Sequence, residues 1–381
     1  MRVSLRWLLL LVWFYSNSQA TSGPGIRSSE AWREAKYGKW GGPGVSSKPG
    51  PMDSILLSEY APQNSLVIEE TTIQKAKYPV IDVHAHVLAR TPDEVDEWVR
   101  TMDEVGIKKS IVLTHTIGEE FGILAKLYLE PYPDRFILFC GISYDGLDEP
   151  GYSQRIVQEL IACYEMGARG VGEITDKGAG INRTMDNPVH PNDPRFFDFW
   201  EQCGKLGIPV NFHIADHPSA WQPLDIYQER TPDYQHFNLH GKDILPYDEL
   251  IGVFEAILEA HPRTNFIACH MANLGNDLTR LGGVMERYPN LYLDISARDY
   301  EIGRTPRAAF AFIEKYQKRI MYGSDMGREP KMYRAWWQLL ETNDEFITGR
   351  VWWPYYGLGL SPKVLKNIYQ KTASKVFDQW D

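Results

Sequence analysis

From residue 78 onward the chain alternates two patterns: short apolar runs rich in β-branched and aromatic residues, and longer segments with apolar positions every three or four residues. The short runs at 80–87, 110–114, 136–142, 170–174, 210–214, 265–270, 291–295 and 320–322 predict eight strands. The 3.6-residue spacing predicts helices over 93–105, 121–129, 153–166, 194–206, 248–260, 277–288 and 306–318. Helix-ending signals stand in front of several strands, as in MGARG, LGIP, AHPRT and RYPN. Strands that alternate with helices imply a parallel sheet, and eight such units imply the α/β class and a single (β/α)8 TIM barrel. A doubly wound open sheet is the rival, but no Gly-rich turn follows the first strand.

The first 65 residues follow a different pattern. Arg2 and Arg6 precede an apolar run from Trp7 to Tyr15, and Ser18 and Ala20 stand where a signal peptidase reads small residues. Residues 1–20 are therefore expected to be a signal peptide, too short in its apolar part to span a bilayer. The Gly/Ser/Pro-rich segment 21–65 reads as a flexible arm, and 66–381 as the barrel. This predicts a secreted or periplasmic protein with no membrane contact after signal removal.

Composition narrows the function further. Of 381 residues, 40 are Lys or Arg and 50 are Asp or Glu, and the net charge of −10 argues against a nucleic-acid partner. The hydrophobic share of 43% supports a large core. The four cysteines (Cys140, Cys163, Cys203 and Cys269) fall inside expected strands and helices, which favours buried free thiols over bridges. Asn182-Arg183-Thr184 matches a glycosylation acceptor.

Buried parallel strands should be almost entirely apolar, so polar residues at their C-terminal ends are the informative ones. His84 and His86 lie two apart on the first strand and leave by the same face, able to grip one ion. Glu173, His213 and His270 end strands four, five and six, and Asp325 follows strand eight. Imidazoles and carboxylates with an open coordination position are what hydrolytic zinc or manganese sites require. Long insertions at 175–193 and 216–246 follow strands four and five, on the face where barrel loops build active sites. His115, His236 and His240, together with Arg298 and Arg328, are candidates for substrate contact. Arg183 lies in the loop after strand four. His190 and His261 read as surface residues, and His217 lacks the helical geometry of an HxxxH metal pair. The cluster Trp352-Trp353-Pro354-Tyr355-Tyr356 suits either the active face or packing, including packing between copies of the chain.

The segments VIDVHAHV, ACHMANLG, LYLDIS and YGSDMG, with His213 between the first two, resemble the amidohydrolase superfamily over roughly residues 78–378. The resemblance is to its amidohydrolase-related group, which also contains metal-dependent decarboxylases. The closing SPKVLKNIYQKTASKVF is similar to that group's final helix, with Thr372-Ala373 where an Asn-Ala pair is more usual. The resemblance implies that His84, His86, His213 and Asp325 are metal ligands and that His270 is an acid–base or polarising residue. Glu173 is the ambiguous candidate ligand: it bridges two ions in some branches, where His270 becomes a ligand instead, and need not ligate where a single ion is bound. The implied cofactor is a divalent metal, zinc with manganese or iron as alternatives, and one ion is preferred over two.

With a metal-activated water, Asp325 moving the proton and His270 facing the oxyanion, this set predicts hydrolysis of an amide, ester or lactone bond in a small organic substrate. Non-oxidative decarboxylation of a small carboxylic acid is the alternative. A secreted barrel that binds without catalysis is the third reading.

Overall fold

The structure is a computed structural model that describes residues 54–56, 59, 65–182, 187–225, 227–230, 234, 236–348 and 353–377. The expected signal peptide, most of the arm, Arg183, Thr184 and Trp352 lie outside them. The chain divides into two units, Met1–Val67 and Ile68–Asp381, and the barrel is the second.

Eight strands form one sheet in sequential order: β1 (Val80–Ala85), β2 (Ile107–Leu113), β3 (Phe136–Cys140), β4 (Ala168–Asp176), β5 (Val210–Ile214), β6 (Phe266–Ala268), β7 (Leu291–Asp294) and β8 (Ile320–Met321). Every adjacent pair from β1 to β8 is parallel. Two backbone bonds join the ends of the sheet, Val83 N–H to Tyr322 O at 3.0 Å and Asp325 N–H to His84 O at 2.9 Å. The result is the expected (β/α)8 barrel.

The helices between the strands are α1 (Pro92–Val105), α2 (Gly118–Leu129), α3 (Tyr152–Glu165), α4 (Phe197–Leu206), α5 (Tyr247–Ala260), α6 (Leu278–Arg287), the short α7 (Asp299–Ile302) and α8 (Pro306–Tyr316), with α9 (Pro330–Glu341) after β8. Local chemistry explains their ends. Thr91 and Glu94 form a capping box at the start of α1 with Pro92 in its first turn, and Gly106 ends it at φ +96°.

Two cores result. The larger fills the space between sheet and helices and holds Trp98, Trp200, Trp336 and Trp337. The smaller joins Ile81, Val83, Ile111, Leu113, Phe139, Ile267 and Met321. A cluster drawn from six of the eight strands, β1 to β3 and β6 to β8, lies inside the ring. The C-terminal segment Thr372–Phe377 closes this interior core, with the Phe377 ring 6.0 Å from that of Phe139.

Strand alternation carries Ile81 and Val83 into the interior and, continued, would send His84 outward. The register of β1 on β2 shifts between Asp82 and Ala85, which changes the phase. His84 and His86 then both reach the open end of the barrel.

Candidate metal centre

Four donors, from β1 and the residue just past it, from β4 and from the segment after β8, converge where β1 ends. Asp325 Oδ1 lies 2.9 Å from His86 Nε2 and 3.4 Å from His84 Nε2. Glu173 Oε1 is 3.9 Å from His84 Nε2, and Glu173 Oε2 is 3.9 Å from His86 Nε2. Donors about 2.1 Å from a common ion sit roughly 3.0–3.4 Å from each other in octahedral or tetrahedral arrangement, so these spacings fit one divalent ion with little adjustment. A second group shares Glu173: its Oε1 lies 2.7 Å from His213 Nδ1 and 3.7 Å from His270 Nε2.

The hydrogen bonding supports the same conclusion. His84 Nε2 and His213 Nε2 are buried without a hydrogen-bond partner. On the other side of its ring, His84 Nδ1 donates to Asp294 Oδ2 at 3.0 Å, leaving a lone pair on Nε2. A buried imidazole oriented by a carboxylate and offering an unpartnered nitrogen is the arrangement that metal ligands adopt.

Asp294 ends β7 and organises much of this floor. Its Oδ1 accepts the backbone N–H of His270 at 3.0 Å and of Ser296 at 3.1 Å, as well as the Ser296 hydroxyl. Ser296 in turn anchors His270, whose Nδ1 lies 2.9 Å from both the carbonyl and the hydroxyl oxygen. Asp82, also buried, accepts Ser324 Oγ–H at 2.6 Å and the backbone N–H of Ser324 and His84. It thereby ties β1 to the segment that carries Asp325.

Electrostatics follow from burial and neighbours. Burial acts to raise the Asp325 carboxyl, but the neighbouring His84 and the hydrogen bond from His86 hold it well below the usual carboxylate range. Burial is likewise outweighed at Glu173, where the neighbouring His213, with its hydrogen bond to the carboxylate, holds the group well below the usual carboxylate range. Burial lowers His213 to about 4, so that its imidazole is neutral and competent as a ligand at pH 7. Burial pushes Asp82 up to about 6.

A cavity of about 480 Å³ opens beside these groups, lined by His86, Glu173, Thr175, Lys177, His213 and Asp325 among others. A second of about 370 Å³ shares Glu173 and Thr175 and reaches His115, Tyr144 and Asn182. His115 stacks on His86 with ring centroids 5.4 Å apart and its Nε2 3.4 Å from His86 Nδ1.

The other candidates are placed elsewhere. Arg298 is 5% exposed and is held by Asn273 Oδ1 and the Ala297 carbonyl, with Glu301 3.6 Å away. Arg328 turns onto α1, to Glu94 O at 2.6 Å and Glu97 at 3.0 Å. His236 and His240 are exposed and do not line the cavity, and His240 Nδ1 sits 3.1 Å from Trp221 O. His270 is 2% exposed and directs Nε2 at Glu173 and Asp325 instead of the open cavity. His261, expected on the surface, is 2% exposed and pairs with Glu201 at 3.1 Å. Half-buried His190 pairs with Asp176 at 2.7 Å.

Sequence reasoning gave Asp294, Ser296 and Lys177 no role. A signal existed for Asp294, an acid among apolar neighbours in LYLDIS. Nothing local marked the other two.

A parallel barrel with imidazoles and carboxylates gathered at the C-terminal ends of its strands defines the class of metal-dependent barrel enzymes. The amidohydrolase family model matches residues 132–379, and the chain belongs to that family. The match begins after β2, so the His84–His86 pair stands on the geometry above. No curated protein sequence matches the chain.

Among solved structures, 2,6-dihydroxybenzoate decarboxylase from Rhizobium aligns at 16% identity and a TM-score of 0.50, over 79% of this chain and 99% of its own. Dihydroxybenzoic acid decarboxylase from a Polaromonas species, with bound manganese and the inhibitor 2-nitroresorcinol, aligns at 18% and 0.50, over 79% and 97%. 4-Oxalomesaconate hydratase from Rhodopseudomonas palustris aligns at 14% and 0.48, over 79% and 96%. At these identities the likeness to the two decarboxylases shows the shared fold alone.

Proposed function

We propose that the protein is a metal-dependent hydrolase of an amide, ester or lactone bond in a small organic substrate. The observation that carries this reading is the convergence of His84, His86, Glu173 and Asp325, the last three of which line one cavity of about 480 Å³. Cavities of this size take small molecules. A divalent ion held by these residues supplies Lewis acidity and makes water a nucleophile at neutral pH. Zinc suits the mixed imidazole and carboxylate set, with manganese or iron as alternatives.

The chain's own groups divide the remaining work. Asp325 is ionised and lines the cavity, so it can accept the proton of the attacking water and pass it to the leaving group. His84 and His213 are held in one orientation by Asp294 and Glu173, and His86 is braced by His115. His270, facing the carboxylates, is better placed as a ligand or support than as a residue that meets substrate from the open side.

One ion is the expectation from sequence. The position of Glu173, shared by two donor groups, supports a second ion bound with His213 and His270. Metal analysis of the purified protein tests both points. The double variant His84→Ala, His86→Ala should lose metal and activity together, and retention of both would refute the assignment. A count near two per chain that falls toward one in Glu173→Ala is expected from the shared carboxylate, whereas one in both proteins restores the single-ion reading. Release of CO2 without consumption of water would replace hydrolysis with decarboxylation.

Residues 1–20 support export, and the N-terminus of the mature protein is expected at Thr21. Terminal sequencing checks it.

A further inference from the structure

The hydrolytic reading leaves one feature of the cavity unused. Among the described residues that line it, Lys177 is the sole lysine or arginine. Its backbone is held firmly. Buried Asp176, the last residue of β4, accepts the N–H groups of Gly178 at 2.9 Å and Gly180 at 3.1 Å through Oδ1, and holds His190 Nδ1 through Oδ2. Gly180 has φ +77°, and a Cβ there would lie 2.5 Å from Val189 N, so the turn admits only glycine. Leu245 N–H donates to Gly178 O at 3.1 Å and ties the turn to the segment that leads into α5.

The side chain is one-third exposed. Its Nζ lies 3.0 Å from Asp216 Oδ2 and 5.0 Å from the centroid of the Phe237 ring. Asp216 does not depend on Lys177 alone. Its Oδ1 accepts the His217 N–H at 2.9 Å and the Tyr234 hydroxyl at 3.1 Å, so these bonds persist when an incoming anion shares the ammonium. An ammonium carries three donors, enough to serve Asp216 and a ligand together.

We propose that Lys177, backed by Asp216, is a specificity-determining residue that binds a substrate carboxylate other than the group that reacts. His86, Glu173 and Asp325 line the part of the cavity at which the reacting bond is handled, and Lys177 offers its ammonium donors from another lining position of the same cavity. Because Asp216 already offsets the ammonium's charge, the site suits a singly charged carboxylate that takes its remaining N–H donors better than a more highly charged anion. A phosphate dianion is better served by the fork of an arginine, and no arginine is among the described residues lining this cavity. The assignment rests on the cavity being the substrate site.

Calorimetric titration of the metal-loaded protein with benzoate and with benzamide tests it, using wild type, Lys177→Met and Lys177→Arg, with metal per chain measured for each. Benzoate should bind wild type more tightly than benzamide. Lys177→Met should weaken benzoate about tenfold or more, leave benzamide within about twofold and keep the metal content, while Lys177→Arg restores most of the benzoate affinity. Unchanged benzoate binding in Lys177→Met overturns the proposal, as does equal loss of both probes. Failure of wild type to distinguish the probes, or to bind either, overturns it as well. Failure of the hydrolytic reading shows separately, as metal or turnover that survives the loss of His84 and His86.

Discussion

Asp294 shows how one side chain away from the cavity can control the site. It fixes the tautomer of His84, positions the backbone of His270 and accepts the Ser296 hydroxyl, all while 0% exposed. Asp294→Asn preserves size but loses the carboxylate that orients His84. Metal affinity is expected to fall roughly 10- to 100-fold, measured by competition with a chelator, while the circular dichroism spectrum stays native. His84 was legible in the sequence because HxH announces itself at the end of a strand. Ser296 was not, since a serine after a strand is commonplace and its partners, His84 and His270, lie far away along the chain. The two arginines make the converse point. Their position after barrel strands suggested an anion site, but Arg298 is taken up by Asn273 and Glu301 and Arg328 by α1, contacts that sequence spacing does not encode.

At the scale of elements, the turn after β6 departs furthest from expectation. Apolar character predicted a strand through His270, but β6 stops at Ala268. His270, Met271, Ala272 and Asn273 then take φ of +55°, +55°, +55° and +52°, four consecutive left-handed residues. Each costs roughly 1–2 kcal/mol for a residue with a Cβ. Tertiary bonds offset this strain. Asn273 Nδ2 donates to Ile214 O at 2.9 Å and Ala215 O at 3.2 Å, and its carbonyl accepts the Tyr247 hydroxyl at 2.7 Å. Asn273→Ala removes the side-chain bonds, including the one that Arg298 donates, so a loss of roughly 2–4 kcal/mol is expected in urea unfolding. A loss below 1 kcal/mol would show that the turn does not depend on them. The helices, by contrast, match their expected spans within about three residues, because caps such as Thr91-Pro92 and Gly106 and the 3.6-residue period act locally.

Across the whole molecule, burial and linkage set how stability responds to conditions. His217 is 6% exposed, and burial together with Arg230 and Arg298 lowers it to about 2 from 6.5. The unfolded chain takes up this proton as pH falls below about 6.5 and the folded chain does not, so the group's contribution is full above 6.5 and declines in acid. Well below 6.5 the slope is about 1.4 kcal/mol per pH unit for one such group. His217→Gln should therefore lose less stability than wild type between pH 6.5 and 5, read from urea midpoints at each pH. An equal loss in both would show that His217 does not set the slope. A bound ion adds stability by mass action, about 2.7 kcal/mol at a hundredfold excess over Kd. Chelation should lower the thermal midpoint of wild type and leave that of His84→Ala unmoved.

The barrel, the strand order and the convergence of His84, His86, Glu173, His213, His270 and Asp325 were determined by the sequence itself. Periodicity and caps are local properties, and a barrel that places every strand end on one face turns them into a site. Tertiary structure alone decided which of these groups meet, how Glu173 is shared and which cation faces the cavity. The register shift in β1, the left-handed turn after β6 and the competition between partners for each charge depend on contacts between residues remote in the chain. The insertion after β4, legible only as a long loop, brings Lys177 to the cavity through a turn that Asp176 holds by the N–H groups of two glycines.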